Sequence, residues 1–238
     1  MRIGLVGYGK MGKAIEKIAI ERGHDITAII DIANIDELKD LSPEKVDVVI
    51  EFSHPDVAFD NIMALLGNKI PVVSGTTGWL TNKSQVENFT KETDGTFFYA
   101  SNYSIGVNLF FKLNKLLAGL MKGQNEYSLF TNEIHHTTKK DSPSGTAITL
   151  AEGIIENNPQ YKTWINNEIP SNEQIAIWSQ REGAVAGTHL IKYISNVDEI
   201  EIKHHAFSRE GFALGAVVVA EWVKDKKGIL GMEDMLQL

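Results

Sequence analysis

At 238 residues with 43% hydrophobic side chains, the chain is long enough to build two modest domains with real cores, which excludes disordered and fibrous classes. It has no cysteine, so disulfides, thiolate nucleophiles, iron–sulfur clusters and cysteine-type zinc sites are excluded, in keeping with a reducing, cytoplasmic setting. Lys and Arg number 23 against 31 Asp and Glu, a net charge of −8 that argues against a broad nucleic-acid surface, and the longest apolar runs are far short of the ~20 residues a membrane span needs.

Residues 2–6 (RIGLV) read as a short strand, glycines follow, and 13–22 carries Ala14, Ile15, Ile18 and Ala19 at helical spacing before Gly23. A second strand at 26–30 completes a strand–helix–strand unit, which requires parallel pairing through a right-handed crossover. The pattern continues with strands at 46–52, 71–73 and 96–100 and helices at 57–66 and 82–93, giving five parallel strands by residue 100. Past Gly106 the texture changes. A long amphipathic helix at 107–121 precedes strands at 127–134, 174–179, 188–194 and 199–204. In the last, Ile200, Ile202 and His204 alternate with Glu201 and Lys203, as on a half-solvated sheet. The dense apolar helix at 213–223 is expected to return to the first domain. The expected class is α/β. A Rossmann-type parallel-sheet domain spans 1–104 and 209–238, and a second α+β domain with a mixed, open-faced sheet spans 105–208.

Gly7-Tyr8-Gly9-Lys10-Met11-Gly12 is a G-x-G-x-x-G between strand and helix, where glycines permit the tight turn, the close approach of a pyrophosphate and helix–strand packing. The helix start behind it offers free N–H groups and partial positive charge to an anion, while Met11 reads better as packing than as a contact. Asp31 ends the second strand, placed to accept from the adenosine ribose hydroxyls. A 2′-phosphate would meet like charge there, which favours NADH over NADPH. The turns Ser74-Gly75-Thr76-Thr77-Gly78 and Ser101-Asn102-Tyr103-Ser104 follow consecutive strands and supply small, hydrogen-bonding groups to the nicotinamide half.

The densest chemistry is the stretch from Glu133 to Ala147 (EIHHTTKKDSPSGTA). Ser142 followed by Pro143 reads as a helix N-cap and first turn, which puts Ser144, Gly145 and Thr146 in that turn with free N–H groups for a carboxylate or phosphate. Lys139 and Lys140 add positive charge, and a histidine near such a pocket can donate a proton near neutral pH. Neighbours on a strand face opposite ways, so His135 and His136 both reach a ligand only if the strand ends there, as Thr137-Thr138 suggests. Glu133, His135 and His136 are also possible metal ligands, but adjacent histidines are poorly spaced for one ion and the lysines oppose it, so no metal is expected.

This stretch resembles the signature of the dihydrodipicolinate reductase family, E-x-H-H-x-x-K-x-D-x-P-S-G-T-A. The likeness extends in order to the V-G-Y-G-K-M-G opening, Phe52-Ser53-His54-Pro55, Gly75-Thr76-Thr77-Gly78, Ser101 to Ser104 with Gly106-Val107-Asn108, Gly187-Thr188-His189, and Ser208-Arg209. The resemblance implies a nicotinamide-dependent reduction of a cyclic dicarboxylate, 4-hydroxy-tetrahydrodipicolinate or its dehydrated form, to tetrahydrodipicolinate on the diaminopimelate route to lysine. It also implies His135 as proton donor, Lys139 as second donor and substrate-binding lysine, His136 as a substrate contact, and Gly145-Thr146 as the carboxylate grip. Gly7 to Gly12, Asp31, Gly75 to Thr77 and Ser101 to Ser104 correspond to the dinucleotide contacts, and the assembly implied is a homotetramer built through the second domain. One departure stands out: the segment between Asp31 and Val46 is short and Ile32-Ala33-Asn34 places no Arg or Lys beside Asp31, so a relaxed or NADH-leaning preference is expected. A dinucleotide-binding sensor without chemistry would explain the glycine loop but leave His135, His136 and Lys139 without purpose.

Overall fold

The computed structural model describes residues 1–208 and 210–237. The chain divides into two compact units, Met1–Ile105 with Glu210–Leu238, and Gly106–Arg209. Arg209, which the family pattern singles out, lies outside the described residues.

In the first unit, strands β1 (Arg2–Val6), β2 (Asp25–Ile30), β3 (Val48–Glu51), β4 (Val72–Ser74) and β5 (Thr96–Tyr99) alternate with helices α1 (Lys10–Glu21), α2 (Pro55–Gly67) and α3 (Lys83–Glu92). The sheet gains a sixth strand, β11 (Gly228–Leu230), and runs β11-β5-β4-β3-β1-β2, every pair parallel. The two-residue period splits the core. Ile3, Leu5, Val48, Ile50, Val73 and Phe98 pack under α1 and the apolar helix α6 (Glu210–Val223), while Val6, Val49, Val72 and Phe97 pack on the opposite face with Ile62, Leu65 and Val86 of α2 and α3. Helix α6 approaches so closely that Gly215 has no room for a Cβ against the Tyr103 carbonyl.

Several boundaries differ from expectation. Helix α1 starts at Lys10 rather than residue 13, so Lys10, Met11 and Gly12 already lie on its first turn. Residues Ile32–Asp40 form 3₁₀ turns interrupted by a kink at Asn34, not expected from the sequence and capped by Asp31, whose side chain accepts from Ile32 N–H at 2.9 Å.

The second unit holds α4 (Ile105–Leu120), β6 (Ser128–His135), α5 (Gly145–Asn157), β7 (Thr163–Asn166), β8 (Gln174–Arg181), β9 (Gly187–Ile194) and β10 (Glu199–Ala206). Its sheet runs β10-β9-β6-β8-β7, parallel across β6–β8–β7 and antiparallel across β6–β9–β10. One face packs Ile175, Ile177, Ile191 and Tyr193 against Phe110, Leu117, Leu150 and Ile154 of α4 and α5. The other face stays open, leaving Phe130 and Ile194 exposed, while Ile200, opposite Tyr193 on the edge strand β10, is exposed on the helix side. The short strand β7 is not among the expected elements, although Thr163, Trp164 and Ile165 are β-branched or aromatic residues that favour a strand. A final short helix, α7 (Met232–Leu236), belongs to the first unit.

Candidate active site

The first unit carries a cavity of about 350 Å³ lined by residues that follow β1, β2 and β3, where the strand order reverses and open α/β sheets bind their ligands. Gly7, Tyr8 and Gly9 form one wall, Asp31, Ile32 and Ile35 a second, and Ser53, His54 and Asn61 a third. No lysine or arginine is among its lining residues. A Cβ on Gly7, at φ +89°, would run into the Phe52 carbonyl, and one on Gly12 into the Gly7 carbonyl. The space over Gly9, the N-cap of α1, is open, and Gly9 has no side chain with which to occupy the free N–H groups of the first turn. A glycine cradle at an uncapped helix start, with a carboxylate at the next strand end, fits a dinucleotide.

The other expected cofactor residues fall into distinct settings. Tyr8 donates to Glu16, and with Met11 its side chain packs on the α1-side core, as the packing reading of Met11 anticipates. A Cβ on Gly75 would collide with the Phe52 ring. Thr76 is buried with its hydroxyl on Glu51, whereas Thr77 is exposed. Asn102 Oδ1 accepts from Ser104 N–H at 2.9 Å, shaping that turn, and Ser101 is exposed. Tyr103 is a core side chain. Its ring packs on Phe52 and Phe98, and its hydroxyl donates to the Ser74 carbonyl at 2.7 Å, so only its backbone remains for a ligand.

Glu51 carries no role in the sequence reading, although an acid closing an otherwise apolar strand is a visible signal. It is fully buried at the end of β3 and accepts from Ser53 N–H, the Ser53 hydroxyl, Ser74 Oγ and Thr76 Oγ1. One carboxyl thereby joins the turns after β3 and β4.

In the second unit, strand β6 ends at His135. Period-two alternation turns Glu133 and His135 to the face covered by α5, and register sets Ser179 and His189 on either side of Glu133 and Arg181 beside His135. His135 Nδ1 is hydrogen-bonded to Glu133 Oε2. Glu133 Oε1 accepts from Arg181 Nη1 at 3.1 Å and from Ser144 N–H at 3.2 Å. Burial alone would push the Glu133 carboxyl up, but hydrogen bonds from His135 and Ser179 and the charges of His135 and Arg181 hold it down at about 2. His189 meets His135 edge to face at 5.2 Å, and Ser144 Oγ lies 3.2 Å from its Nε2. Burial pushes its pKa down to about 3, so it is neutral.

The helix start is corrected by two residues. Ser144, not Ser142, is the N-cap of α5 and accepts from Ala147 N–H at 3.2 Å; the Ser142–Pro143 bond is cis and precedes the helix. Gly145 and Thr146 become its first two positions, among the donors that have no intrahelical acceptor, and the space over Gly145 is open. Lys139 lies on the same loop, its Nζ 2.8 Å from Asp141 Oδ2, and this hydrogen bond holds the Asp141 carboxyl below its usual range. His136 Nδ1 contacts Thr138 Oγ1 at 2.7 Å.

Among the described residues the cluster with metal-ligand spacing is Glu133, His135 and His189, with ligand atoms within 4.8 Å, rather than a set including His136. Both Glu133 oxygens, His135 Nδ1 and His189 Nε2 have partners among these residues, Arg181 and Ser144, whereas His189 Nδ1 is buried without one. Arg181 carries no signal in the sequence, and His189 stands there only within Gly187-Thr188-His189 without a role, because strand register alone brings both to the site.

A glycine cradle at an uncapped helix start in one unit and a histidine–carboxylate pair beside an open helix start in the other accompany the matches that make this chain an NAD(P)H-dependent oxidoreductase. Residues 1–103 match the model described as dihydrodipicolinate reductase, N-terminus, and residues 106–236 the model described as dihydrodipicolinate reductase, C-terminus. The chain belongs to the dihydrodipicolinate reductase family. It is 50% identical to the 4-hydroxy-tetrahydrodipicolinate reductase of Christiangramia forsetii over 99% of this chain and 98% of that one. It is 36% identical to the enzyme of the same name from Lawsonia intracellularis over 93% of each chain. In structure it is similar to a dipicolinate-bound dihydrodipicolinate reductase from Paenisporosarcina sp. TG-14, with TM-score 0.81, 21% identity and 99% of both chains covered.

Proposed function

We propose that the chain reduces 4-hydroxy-tetrahydrodipicolinate, or the dihydrodipicolinate formed by its dehydration, to tetrahydrodipicolinate on the diaminopimelate route to lysine. The observation that carries this reading is the juxtaposition of His135, held by Glu133, with the open start of α5 at Gly145-Thr146, in a chain 50% identical to a reductase of that name. The first unit is the dinucleotide domain and the second the substrate domain.

Gly7 to Gly12 and the α1 N-terminus would hold the pyrophosphate, Asp31 the adenosine ribose, and the turns Gly75 to Thr77 and Ser101 to Ser104 the nicotinamide half. When bound, NADH or NADPH supplies the hydride. Gly145 and Thr146 N–H groups grip one substrate carboxylate and Lys139 exchanges Asp141 for another, with His136 as a further contact. His135 donates the proton to the carbon neighbouring the one that is reduced, with Lys139 as a second proton source. The preference leans to NADH because the cavity presents Asp31, and no lysine or arginine, to a 2′-phosphate.

The second unit also carries the assembly face. Leu109, Leu113, Leu116 and Leu120 form an exposed stripe on α4, and Phe130, Ile194 and Ile200 lie exposed on the sheet, apolar surface that supports a homotetramer. Among the described residues no helix is long and apolar enough to cross a membrane, and a cytoplasmic location goes with this proposal.

The test is oxidation of NADH and NADPH followed with freshly generated dihydrodipicolinate-synthase product. Turnover is expected with either dinucleotide and a higher kcat/KM with NADH. Folded protein that binds dinucleotide without turnover overturns the reaction, and equal kcat/KM for both overturns the preference.

A further inference from the structure

The reading of His135 as proton donor leaves open what prepares its ring for that task. An imidazole presents its reactive nitrogen correctly only if the other nitrogen is engaged, because the two tautomers expose different atoms. In this structure Nδ1 is engaged by Glu133, a fully buried carboxylate that is itself fixed from two other elements, by Arg181 of β8 and by the Ser144 N–H at the start of α5. The opposite nitrogen, Nε2, faces the position where Gly187 lacks a side chain, since a Cβ there would lie only 3.1 Å away. The neighbouring His189 is neutral and cannot replace the carboxylate.

We infer that Glu133 is the positioning residue of His135: its carboxylate accepts the Nδ1 hydrogen, holds the ring in one orientation, and leaves Nε2 as the atom that carries and donates the proton. The inference rests on the proton-donor reading of His135 given above. During turnover the Nε2 proton passes to the substrate carbon and the Nδ1–H bond to Glu133 persists in both states of the ring. No proton moves to Glu133. Glu133 thus acts through His135 without touching substrate.

Two measurements decide the matter. In protein labelled with ¹⁵N-histidine, long-range ¹H–¹⁵N correlations report the tautomer of each ring, and the His135 signals are those missing from His135→Gln. The neutral His135 ring is expected as the Nδ1–H form in the wild type, and as the Nε2–H form or a mixture in Glu133→Gln. In kinetics, Glu133→Gln is expected to lower kcat about 10²-fold while substrate KM stays within about threefold and dinucleotide affinity is unchanged. An Nε2–H tautomer in the wild-type protein overturns the inference, and this measurement stands even if Glu133→Gln does not fold. Full kcat in Glu133→Gln with an inactive His135→Gln overturns the positioning role alone. Full kcat in His135→Gln overturns the proton-donor reading and the inference together.

Discussion

Thr76 Oγ1 donates a 2.8 Å hydrogen bond to Glu51 Oε1, so the turn after β4 is tied to the final residue of β3 by a buried carboxyl. Ser74 Oγ, at 2.7 Å, joins the same group. Glu51→Ala leaves these hydroxyls and the Ser53 N–H without their shared acceptor, at a cost of about 3 kcal/mol. Denaturant unfolding should register that loss, and calorimetry should show weaker dinucleotide binding because both turns lose their anchor. Unchanged stability would remove Glu51 from this role.

His135→Gln removes the proton donor while keeping a side chain of similar reach. A fall in kcat of about 10²- to 10⁴-fold is expected, with little change in dinucleotide affinity. Steady-state kinetics beside a binding titration separates the two effects, and a retained kcat assigns the proton to another group.

Lys139→Ala should damage both kinetic parameters, because an ammonium that binds a carboxylate in the ground state also stabilises it in the transition state. Its partner in the free protein, Asp141, is largely exposed, so thermal stability should barely move. A drop in Tm with unaltered kinetics would mark Lys139 as structural.

Two buried groups make the fold acid-sensitive. The Glu133 carboxyl titrates at about 2 in the folded chain against 4.5 ordinarily, so its stabilisation is complete above pH 4.5 and disappears as pH falls through about 2. His189 titrates at about 3 against 6.5, so the unfolded chain takes up its proton first and stability declines as pH falls from 6.5 toward 3. Both act in one direction, at up to about 1.4 kcal/mol per pH unit for each group. Urea unfolding across this range should show the decline, and His189→Gln should flatten its upper part; a flat wild-type profile contradicts the assignment.

At the nucleotide cavity, Asp31→Ser combined with Ile32→Arg replaces a repelling carboxylate with a cation at a fully exposed position. The ratio of kcat/KM for NADPH to that for NADH should rise about tenfold or more, equivalent to roughly 1.4 kcal/mol. An unmoved ratio would mean that Asp31 does not face the ribose.

How much of this is legible in the sequence depends on the range of the interaction involved. Strands β1 to β5 are readable because each is an apolar run closed by a polar or glycine-rich turn, and the glycine loop is readable because its geometry is local. The strand β11 is not: Gly228–Leu230 becomes a strand only because the edge of β5 accepts it. The cap of α5 is misread because Ser142-Pro143 has the right local pattern, while the helix begins where Ser144 can also reach Ala147 N–H and His189. Tyr103 is a hydroxyl-bearing residue in a site-like turn whose ring fills the core, a division between side chain and backbone that the sequence alone does not show. Arg181 and His189 join Glu133 and His135 through cross-strand register, which periodicity within one strand does not contain.

The first unit is assembled from the two ends of the chain, with α6 and β11 completing a sheet begun at β1. During synthesis, therefore, the side chains of Ile3, Leu5 and Phe98 that α6 covers have no lid until the ribosome has released Val217, Ala220 and Trp222. The contiguous second unit emerges whole before that moment. The core begun by the first-translated strands can therefore close only after the whole second unit has been made.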